Sequence, residues 1–400
     1  MSLSRRDLLT STALLAGTTG AGCLSSDSNS SQQPVTNPTT ADQSDLPPEL
    51  RTTGISLDWY IPLGKRIPQP AIDNTGEWVF ATSSTNGLAT LDTTDGTQRW
   101  QKQHPQSGWL APTTADGHVY ATDYETLFVY DIETGEEMWR REWGDAGTIQ
   151  ASPTVEEGTV YLPNSSLPTS HTDSKFAEDL FAFGTGNGSL RWKRDIAKHD
   201  PVVASPLVYE DTLYVQTEQT GLFALDLSDG AEKWTFEPKA TATRMGEGPQ
   251  IAGGTLITST RNFTYGLDPA TGDVRWKTAG VYGDPVTDRS TVYARGDGGS
   301  LYALHAADGT EQWRLSRPGR LRTVSIADGS LCANFVRQTG EKDVNDSIST
   351  LYGIDGAGTE QWRFTRLCEG FSKASAMNGQ LFVAGRYGDG RLHAFTPTTV

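Results

Sequence analysis

Cysteine is scarce in this sequence, which contains only three cysteines in 400 residues. Three cysteines exclude a small fold that is held together by a disulfide framework. Cys23 lies close to the N-terminus, so Cys332 and Cys368 are the candidate pair for an intramolecular bridge. The sequence does not decide between such a bridge and two buried thiols.

Basic residues are also few: 33 lysines and arginines stand against 49 aspartates and glutamates, giving a formal charge of −16. Nucleic acids require cationic surfaces, so this balance argues against a nucleic-acid partner. A uniformly acidic surface resembles that of proteins from very salty environments, where salt screens the repulsion between carboxylates. An ordinary acidic secreted protein is the alternative.

Compact catalytic motifs are absent as well. The six histidines show no metal-ligand spacing, and no G-x-S-x-G elbow is present. The glycines follow strand-like runs instead of opening helices, which excludes a phosphate-binding loop. After the N-terminal leader no apolar run is long enough to cross a bilayer. The sequence therefore identifies no catalytic residue and no metal ligand, and it leaves cofactor-binding residues unassigned.

The segment "SRRDLLTSTALLAGTTGAGC" has paired basic residues, a short apolar centre and small residues before a cysteine. This order is typical of a signal peptide and not of a membrane helix. Arg5 and Arg6 resemble a twin-arginine export signal, which carries folded proteins. "GAGC" resembles a lipobox, although Gly20 stands where such boxes usually have Leu. We expect a signal peptide at 1–23 and a lipid anchor at Cys23, with simple secretion as the alternative.

Residues 24–52 are mostly Ser, Thr, Asn, Gln and Pro, with almost nothing to bury. Such a composition predicts a flexible tether, which would hold a folded domain away from the membrane. One lipid binds a membrane only marginally, so further membrane contacts or a complex are expected to help. Sequons for N-glycosylation, which suit an exported surface, occur at Asn29, Asn164, Asn187, Asn262 and Asn345.

Tryptophan recurs with a period near forty residues. The recurring positions are Trp59, Trp100, Trp139, Trp192, Trp234, Trp276, Trp313 and Trp362. Each interval contains a short β-rich run, such as "HVYATD" (118–123) or "TLYVQT" (212–217), followed by a Gly- or Asp-rich break and a second run. The runs are apolar at adjacent positions, which indicates strands that are buried on both faces. Several short buried strands per repeat predict a β-propeller.

The stretch "LFALDLSDGAEKW" (222–234) explains the spacing. Asp226 can accept hydrogen bonds from the backbone ahead of it, and Gly230 can adopt a left-handed conformation, so the two predict a hairpin to an outer strand. Four residues later, Trp234 is expected to lie against the next blade. Asp occupies the first turn position at Asp92, Asp131, Asp226, Asp268 and Asp355, whereas Gly184 and His305 replace it. The turn before Trp362 is one residue short.

Counting the repeats predicts how the ring closes. There are eight β-rich runs and eight tryptophans, but Trp59 precedes the first run and no tryptophan follows the last. We therefore expect the segment 55–63 to supply the outer strand of the blade built from the C-terminal residues, which removes exposed sheet edges. The prediction is an all-β, eight-bladed propeller over 53–400, and seven blades is the competing count.

The A-x-D-x-x-T/D-G-x-x-x-W motif, clearest at Ala224–Trp234, resembles the tryptophan-docking repeat of pyrroloquinoline quinone propellers. The resemblance covers residues 55–396. One branch of that family consists of eight-bladed dehydrogenases, which bind the quinone with Ca²⁺ and carry two adjacent cysteines. This sequence has no Cys-Cys pair and lacks their large insertions.

The other branch consists of non-enzymatic propellers, among them lipoprotein scaffolds of bacterial outer-membrane assembly. The leader, tether and short-looped ring resemble that branch, while the acidic, twin-arginine-exported chain looks haloarchaeal. We therefore expect a non-catalytic platform without a cofactor, a monomeric ring within a larger complex that binds protein or glycan partners. It would be lipid-anchored on the outer face of the cytoplasmic membrane. A dehydrogenase dependent on the quinone and calcium, acting on alcohols or sugars, is the alternative.

Two blades carry polar insertions, at 164–180 and 338–350, where a rigid scaffold often places recognition loops. Cys332 lies in "SLCANF", at a position that is Phe or Tyr in most other repeats. A cysteine in an aromatic core position is most simply a buried apolar residue.

Overall fold

All strands in the described part of the chain belong to eight four-stranded antiparallel sheets. The only helical element there is a 3-10 turn at Asp297–Gly299. The chain is therefore all-β, as predicted. The computed structural model describes residues 52–64, 67–103, 110–143, 149, 151–165, 178–196, 200, 202, 204–218, 220–238, 248–338, 347–385 and 390–398.

Each sheet is one blade, and its strands are given from the inner strand outward. Blade 1 contains β2 (Ala71–Ile72), β3 (Trp78–Ser83), β4 (Gly87–Asp92) and β5 (Gln98–Lys102), and blade 2 contains β6 (Thr113–Ala115), β7 (His118–Thr122), β8 (Thr126–Asp131) and β9 (Glu137–Glu142). Blade 3 contains β10 (Thr154–Glu156), β11 (Thr159–Ser165), β12 (Glu178–Gly184) and β13 (Leu190–Asp195), and blade 4 contains β14 (Leu207–Tyr209), β15 (Thr212–Gln216), β16 (Leu222–Asp226) and β17 (Glu232–Phe236).

The second half of the ring repeats this order. Blade 5 contains β18 (Gln250–Ala252), β19 (Thr255–Ser259), β20 (Phe263–Leu267) and β21 (Val274–Ala279), and blade 6 contains β22 (Val281–Asp288), β23 (Thr291–Gly296), β24 (Leu301–His305) and β25 (Glu311–Leu315). Blade 7 contains β26 (Arg320–Ala327), β27 (Ser330–Gln338), β28 (Ser347–Ile354) and β29 (Glu360–Leu367), and blade 8 contains β30 (Ser375–Met377), β31 (Gln380–Ala384), β32 (Arg391–Pro397) and β1 (Ile55–Pro62).

Blade 8 combines the two ends of the folded chain and closes the ring. β1 pairs with β32 in antiparallel register from Ile55 opposite Pro397 to Pro62 opposite Arg391. The inner strand of the same blade, β30, contacts both β26 of blade 7 and β2 of blade 1. The prediction of eight blades closed by an N-terminal outer strand is confirmed.

The eight β-rich runs of the sequence form the second strands of the blades, and most of their residues are buried. In β15 all five residues are buried, which agrees with a strand packed on both faces. Most turns before these strands contain a left-handed residue followed by glycine, as at Asp116 (φ 51°) and Gly117 (φ 75°). Type I′ hairpin turns require this backbone geometry, so the short Asp-Gly and Asn-Gly pairs set the strand register.

The turns between third and fourth strands have the predicted chemistry. Asp226 Oδ1 accepts a hydrogen bond from Ser228 N at 2.9 Å, and its backbone oxygen accepts one from Gly230 N at 2.8 Å. Gly230 has a φ of 72°. In blade 7 the shortened turn is closed by Gly358 N, which donates to Asp355 O at 3.0 Å.

Seven of the eight repeat tryptophans dock on the turn of the following blade. In each case the indole Nε1 donates to the backbone oxygen of the residue directly after the Asp, Gly or His of that turn. The pairs are Trp59–Thr93, Trp100–Ile132, Trp139–Thr185, Trp192–Leu227, Trp234–Pro269, Trp276–Ala306 and Trp313–Gly356, with distances of 2.7–3.1 Å. The acceptor is a main-chain oxygen, so the clamp tolerates a changed side chain in the turn.

Trp362 is the exception, because blade 8 has two chain ends where the other blades have this turn. The segment Thr53–Gly54 covers Trp362 instead. Thr53 N donates to Arg363 O at 3.0 Å, and Arg363 N donates back to Thr53 O at 2.9 Å. Trp362 is consequently only 3 % exposed. The prediction of tryptophan docking is confirmed, except that Trp362 packs against Thr53–Gly54 and not against a turn of the following blade.

The turn aspartates should make stability depend on pH. Hydrogen bonds from the side chain of Arg275 and the backbone of Ala270 hold the pKa of Asp268 below its usual range. A carboxyl pKa that is lower in the folded state adds stability above its unfolded value of about 4. That stability is lost as the pH falls through the folded pKa.

We therefore expect Asp268→Asn to be less stable than the wild type at pH 7, with the difference shrinking as the pH falls below the unfolded value of about 4. Denaturant titrations between pH 2 and pH 7 measure this. Arg275→Gln removes the leading cause of the low pKa and should reproduce part of the effect. A stability difference that stays constant over the whole range would contradict the assignment.

Cys332 and Cys368 are both buried free thiols in the structure. Both lie in one apolar cluster with Trp362 and Phe364. The Sγ of Cys368 donates to Gly370 O at 3.4 Å, and burial raises the pKa of the Cys332 thiol to about 12. A thiol with so high a pKa is a poor nucleophile for disulfide exchange.

The leader with Arg5, Arg6 and Cys23, and all of the tether except Thr52, lie outside the described residues. Within those described, no helix combines the length and apolar character needed to cross a membrane.

Candidate functional site

The ring has two faces with different connections. Turns between first and second strands, and between third and fourth strands, lie on one face, called here the hairpin face. Connections from second to third strands, and from each blade to the next, lie on the opposite face, called here the connection face. Both predicted insertions, 164–180 and 338–350, join second to third strands and so leave from the connection face. Their central residues, 166–177 and 339–346, lie outside the described residues.

Polar side chains near the ends of second strands are buried below the connection face. Thr82 Oγ1 donates to Leu110 O at 2.9 Å, and Asn334 Oδ1 accepts from Phe371 N at 3.1 Å. Both backbone partners belong to segments that lead into the next blade. The hydrogen bonds of these side chains therefore hold the inter-blade connections in place.

A groove with a volume of about 440 Å³ opens between blades 1 and 2 and is called here the blade 1–2 groove. It lies between the end of β5, the turn from β7 to β8, and the strands β8 and β9. Its lining residues are Lys102, Gln103, Asp123, Glu125, Thr126, Phe128, Tyr130, Glu137, Arg140 and Glu142.

The floor of the groove is aromatic. Phe128 and Tyr130 lie on the same side of β8, with ring centroids 6.1 Å apart and ring planes within 7° of parallel. Lys102 Nζ lies 5.7 Å from the centroid of Tyr130, which is within cation–π range. Burial raises the pKa of the Tyr130 hydroxyl above its ordinary value, so this group stays protonated. The floor therefore already accommodates one cation against an aromatic face.

Carboxylates surround this floor. Asp123 Oδ1 accepts hydrogen bonds from Glu125 N at 2.9 Å and Thr126 N at 2.7 Å, which fixes its position at the end of the groove. Burial raises the pKa of Asp123, and the negative charge of Glu142 raises it further. Arg140 Nε lies 3.0 Å from Glu142 Oε1.

The groove has a net negative charge. Asp123, Glu125, Glu137 and Glu142 give four carboxylates against the two cations Lys102 and Arg140, a balance of −2. An aromatic floor with an acidic border complements a cationic side chain that also has apolar surface, such as arginine or lysine.

The sequence did not identify this groove, since its two sides come from different blades. The run "DYETLFVYD" (123–131) shows aromatic residues at alternate positions, a signal that was available. Lys102 belongs to the preceding blade, and only the ring places it beside Tyr130. None of the predicted tryptophans is itself a lining residue, although Trp100 packs against Tyr130 with ring centroids 6.1 Å apart.

A quinone–calcium site would need a cluster of oxygen ligands. Calcium takes six to eight oxygen ligands, often carboxylates. Among the described residues, no group of three or more His, Cys, Asp or Glu side chains is arranged to hold a metal ion. Cys332 and Cys368 are not adjacent in the sequence, whereas the dehydrogenases of the quinone family carry two adjacent cysteines.

A model of the family described as outer membrane protein assembly factor BamB matches residues 58–200, 174–279 and 239–342, which together exceed half of the chain. The chain belongs to this BamB-like family. The matched ranges begin within β1 and end within blade 7, so the family match covers blades 1–6 and the first half of blade 7.

Curated relatives of this BamB-like chain have different activities. Tetrathionate hydrolase from Acidithiobacillus ferrooxidans is 24 % identical over 260 residues, which are 61 % of this chain and 52 % of the relative. Outer membrane protein assembly factor BamB from Alkalilimnicola ehrlichii is 25 % identical over 203 residues, 48 % of this chain and 49 % of the relative. The chain spans about half the length of these two relatives.

Solved structures share the fold of this BamB-like chain at low identity. BamB from Moraxella catarrhalis has a TM-score of 0.65 at 15 % identity, covering 86 % of this chain and 99 % of that one. Quinohemoprotein alcohol dehydrogenase from Comamonas testosteroni has a TM-score of 0.62 at 13 % identity, covering 87 % and 77 %. Since one propeller fold carries both scaffolds and enzymes, these likenesses establish architecture alone.

Proposed function

We propose that this chain is a lipid-anchored, non-catalytic scaffold that binds a protein partner at the outer face of the cytoplasmic membrane. Membership of the BamB-like family over residues 58–342 carries the proposal. Relatives in that family are named as assembly factors, so binding other proteins is the role class that the membership supports. Family membership does not identify the partner of this chain, and the chemistry of that partner is inferred from the lining of the blade 1–2 groove.

The anchor is the part of the proposal that rests on sequence alone. Arg5 and Arg6 would direct export of the folded chain, and Cys23 would carry the lipid. β1 is an outer strand, and outer strands run from the hairpin face to the connection face. The tether would therefore join the ring at the hairpin face, near Ile55.

The partner site in this proposal is the blade 1–2 groove. A basic side chain entering the groove would approach the carboxylates of Glu125 and Glu142, with its apolar stem near the edge of the aromatic floor. In molar salt the Debye length is about 3 Å, so only charges in direct contact would still attract each other. The aromatic floor would supply the part of the affinity that salt does not screen.

Photo-crosslinking in intact cells tests the groove. A p-benzoylphenylalanine that replaces Glu137 should crosslink the partner, since Glu137 lines the groove. The matched control is Glu311 in blade 6, which also lies two residues before a docking tryptophan. Its ion pair with Arg314, at 3.8 Å, parallels that of Glu137 with Arg140, at 3.6 Å. Equal crosslinking from both positions would argue against the groove.

Charge reversal gives the second readout. Glu125→Lys combined with Glu142→Lys should lower the crosslink yield at position 137 about fivefold, the loss of about 1 kcal/mol of ion pairing. Glu311→Lys should leave the yield unchanged. Replacing Cys23 by Ala should remove the crosslinks to a membrane complex while the ring stays folded.

A different result would favour the alternative function. If no partner is captured, and the purified chain takes up pyrroloquinoline quinone with Ca²⁺ and reduces a dye in the presence of an alcohol or sugar, the scaffold proposal is wrong.

A further inference from the structure

Three sequons have their asparagine within the described residues, and they differ in the exposure of the groups that a transferase needs. An N-x-S/T sequon presents the carboxamide nitrogen of Asn, which receives the glycan, and the hydroxyl two residues later. Asn164 is only 5 % exposed, and its Oδ1 is enclosed. A folded chain therefore does not present Asn164.

Asn262 is exposed, but its hydroxyl partner is not. Thr264 lies inside β20, has no exposed surface, and its Oγ1 donates to Val281 O at 2.9 Å. The hydroxyl is therefore already used within the sheet. Bringing both groups of this sequon to a transferase would require part of blade 5 to open.

Asn187 differs from both, since Asn187 and Ser189 are each exposed in the turn between β12 and β13. The Oδ1 of Asn187 accepts a hydrogen bond from Ser189 N at 2.9 Å. This hydrogen bond occupies the carboxamide oxygen, so the carboxamide nitrogen is the atom that remains available for reaction at the surface. The sequon occupies a tight turn on the hairpin face.

The backbone of this turn is held from below by blade 2. Trp139 Nε1 donates to Thr185 O at 2.7 Å, and Arg141 Nε donates to Gly188 O at 2.9 Å. Gly188 has a φ of 63°, and a Cβ on it would lie 2.5 Å from Trp139 Cε3. The docking clamp therefore fixes the loop while the side chains of Asn187 and Ser189 remain outside.

We infer that Asn187 is an N-glycan acceptor in the folded protein. The donor would be an oligosaccharide linked through phosphate to a membrane lipid. A bond forms between Asn187 Nδ2 and the anomeric carbon of the first sugar as the anomeric carbon–oxygen bond to phosphate breaks. The lipid phosphate leaves with the bonding electrons, and the amide proton passes to a base of the transferase. This inference rests on export of the chain, which is part of the proposed function.

The different exposure of the three sequons affects glycosylation when the chain is exported in its folded state. A chain glycosylated while unfolded would be modified at every sequon that the transferase meets. A chain that arrives folded presents only the sequons with both groups at the surface. Of those in the described residues, Asn187 meets this condition.

The test uses the purified, folded chain with a single-subunit oligosaccharyltransferase and its lipid-linked donor, followed by peptide mapping with mass spectrometry. We expect occupancy at Asn187 to exceed that at Asn262 and Asn164 at least tenfold. Asn187→Gln and Ser189→Ala should each abolish it, whereas Asn262→Gln should change nothing at Asn187. After unfolding in denaturant compatible with the enzyme, occupancy at Asn262 should rise towards that at Asn187.

Occupancy at Asn187 no higher than at Asn262 in the folded chain would overturn the inference. Since the purified protein is tested outside the cell, this result depends on the fold alone. Failure of export or of partner binding would instead appear in the crosslinking experiment, so the two failures are distinguishable.

Discussion

Gly272→Ala should lower the free energy of unfolding by about 2–5 kcal/mol, the sum of a left-handed backbone cost and forced overpacking. Gly272 has a φ of 77°, and a Cβ on it would lie 2.6 Å from Trp234 Cε3. The indole cannot move away without losing its hydrogen bond to Pro269 O, which is 3.1 Å long. Equilibrium denaturation at fixed salt and pH measures the loss.

The same blade provides the matched control. Gly254 has a φ of 71°, and a Cβ there would meet nothing within 4 Å. Gly254→Ala should therefore cost only the backbone contribution, about 1–2 kcal/mol. The difference between the two variants isolates the contact with Trp234. Equal losses in both would show that the docked indole contributes nothing to the requirement for glycine.

Trp59→Ala should cost about 3–5 kcal/mol, the range for truncating a large buried aromatic side chain. Trp59 is 1 % exposed, packs against Phe382 and donates to Thr93 O at 2.8 Å. It lies on β1, so its loss weakens the contact between the closing strand and blade 1. Hydrogen exchange across the β1–β32 ladder should accelerate more than exchange in blade 4.

Two further variants divide this effect into parts. Trp59→Phe keeps an apolar ring but removes the N–H donor, and it should cost about 1 kcal/mol from the hydrogen bond, plus any loss of packing. Trp313→Ala should cost less than Trp59→Ala, since the short blade 7 turn leaves Trp313 half-buried. A Trp59→Ala protein with the melting temperature of the wild type would refute the clamp.

The repeat chemistry made most of the fold predictable from sequence. Asp226 and Gly230 act within their own turn, and the turn recurs around the ring, so local rules were sufficient. Closure followed from the offset between eight runs and eight tryptophans. The inner strands were not assigned individually, although "SPTVEEG" and "SPLVYED" precede second strands with a recurring Ser-Pro.

Features that depend on contacts between blades could not be predicted. Trp362 lacks the usual partner because its neighbour is the blade made from both chain ends, and Thr53–Gly54 covers it instead. The blade 1–2 groove needs Lys102 beside Tyr130, a pairing that only the assembled ring creates. The sequons were visible in the sequence, but the burial of Thr264 that separates Asn262 from Asn187 was not.

The pairing of the first strand with the last also sets the order of events during synthesis. Ser56 donates to Thr396 O across 340 positions of the chain. β1 is synthesised before the other strands of the ring and stays unpaired until its partner β32 has been made up to Pro397. Such distant pairings form slowly, and an unpaired strand edge promotes aggregation. Blade 8 is thus the last blade to assemble, and a factor that shields β1 during translation would protect the whole nascent chain.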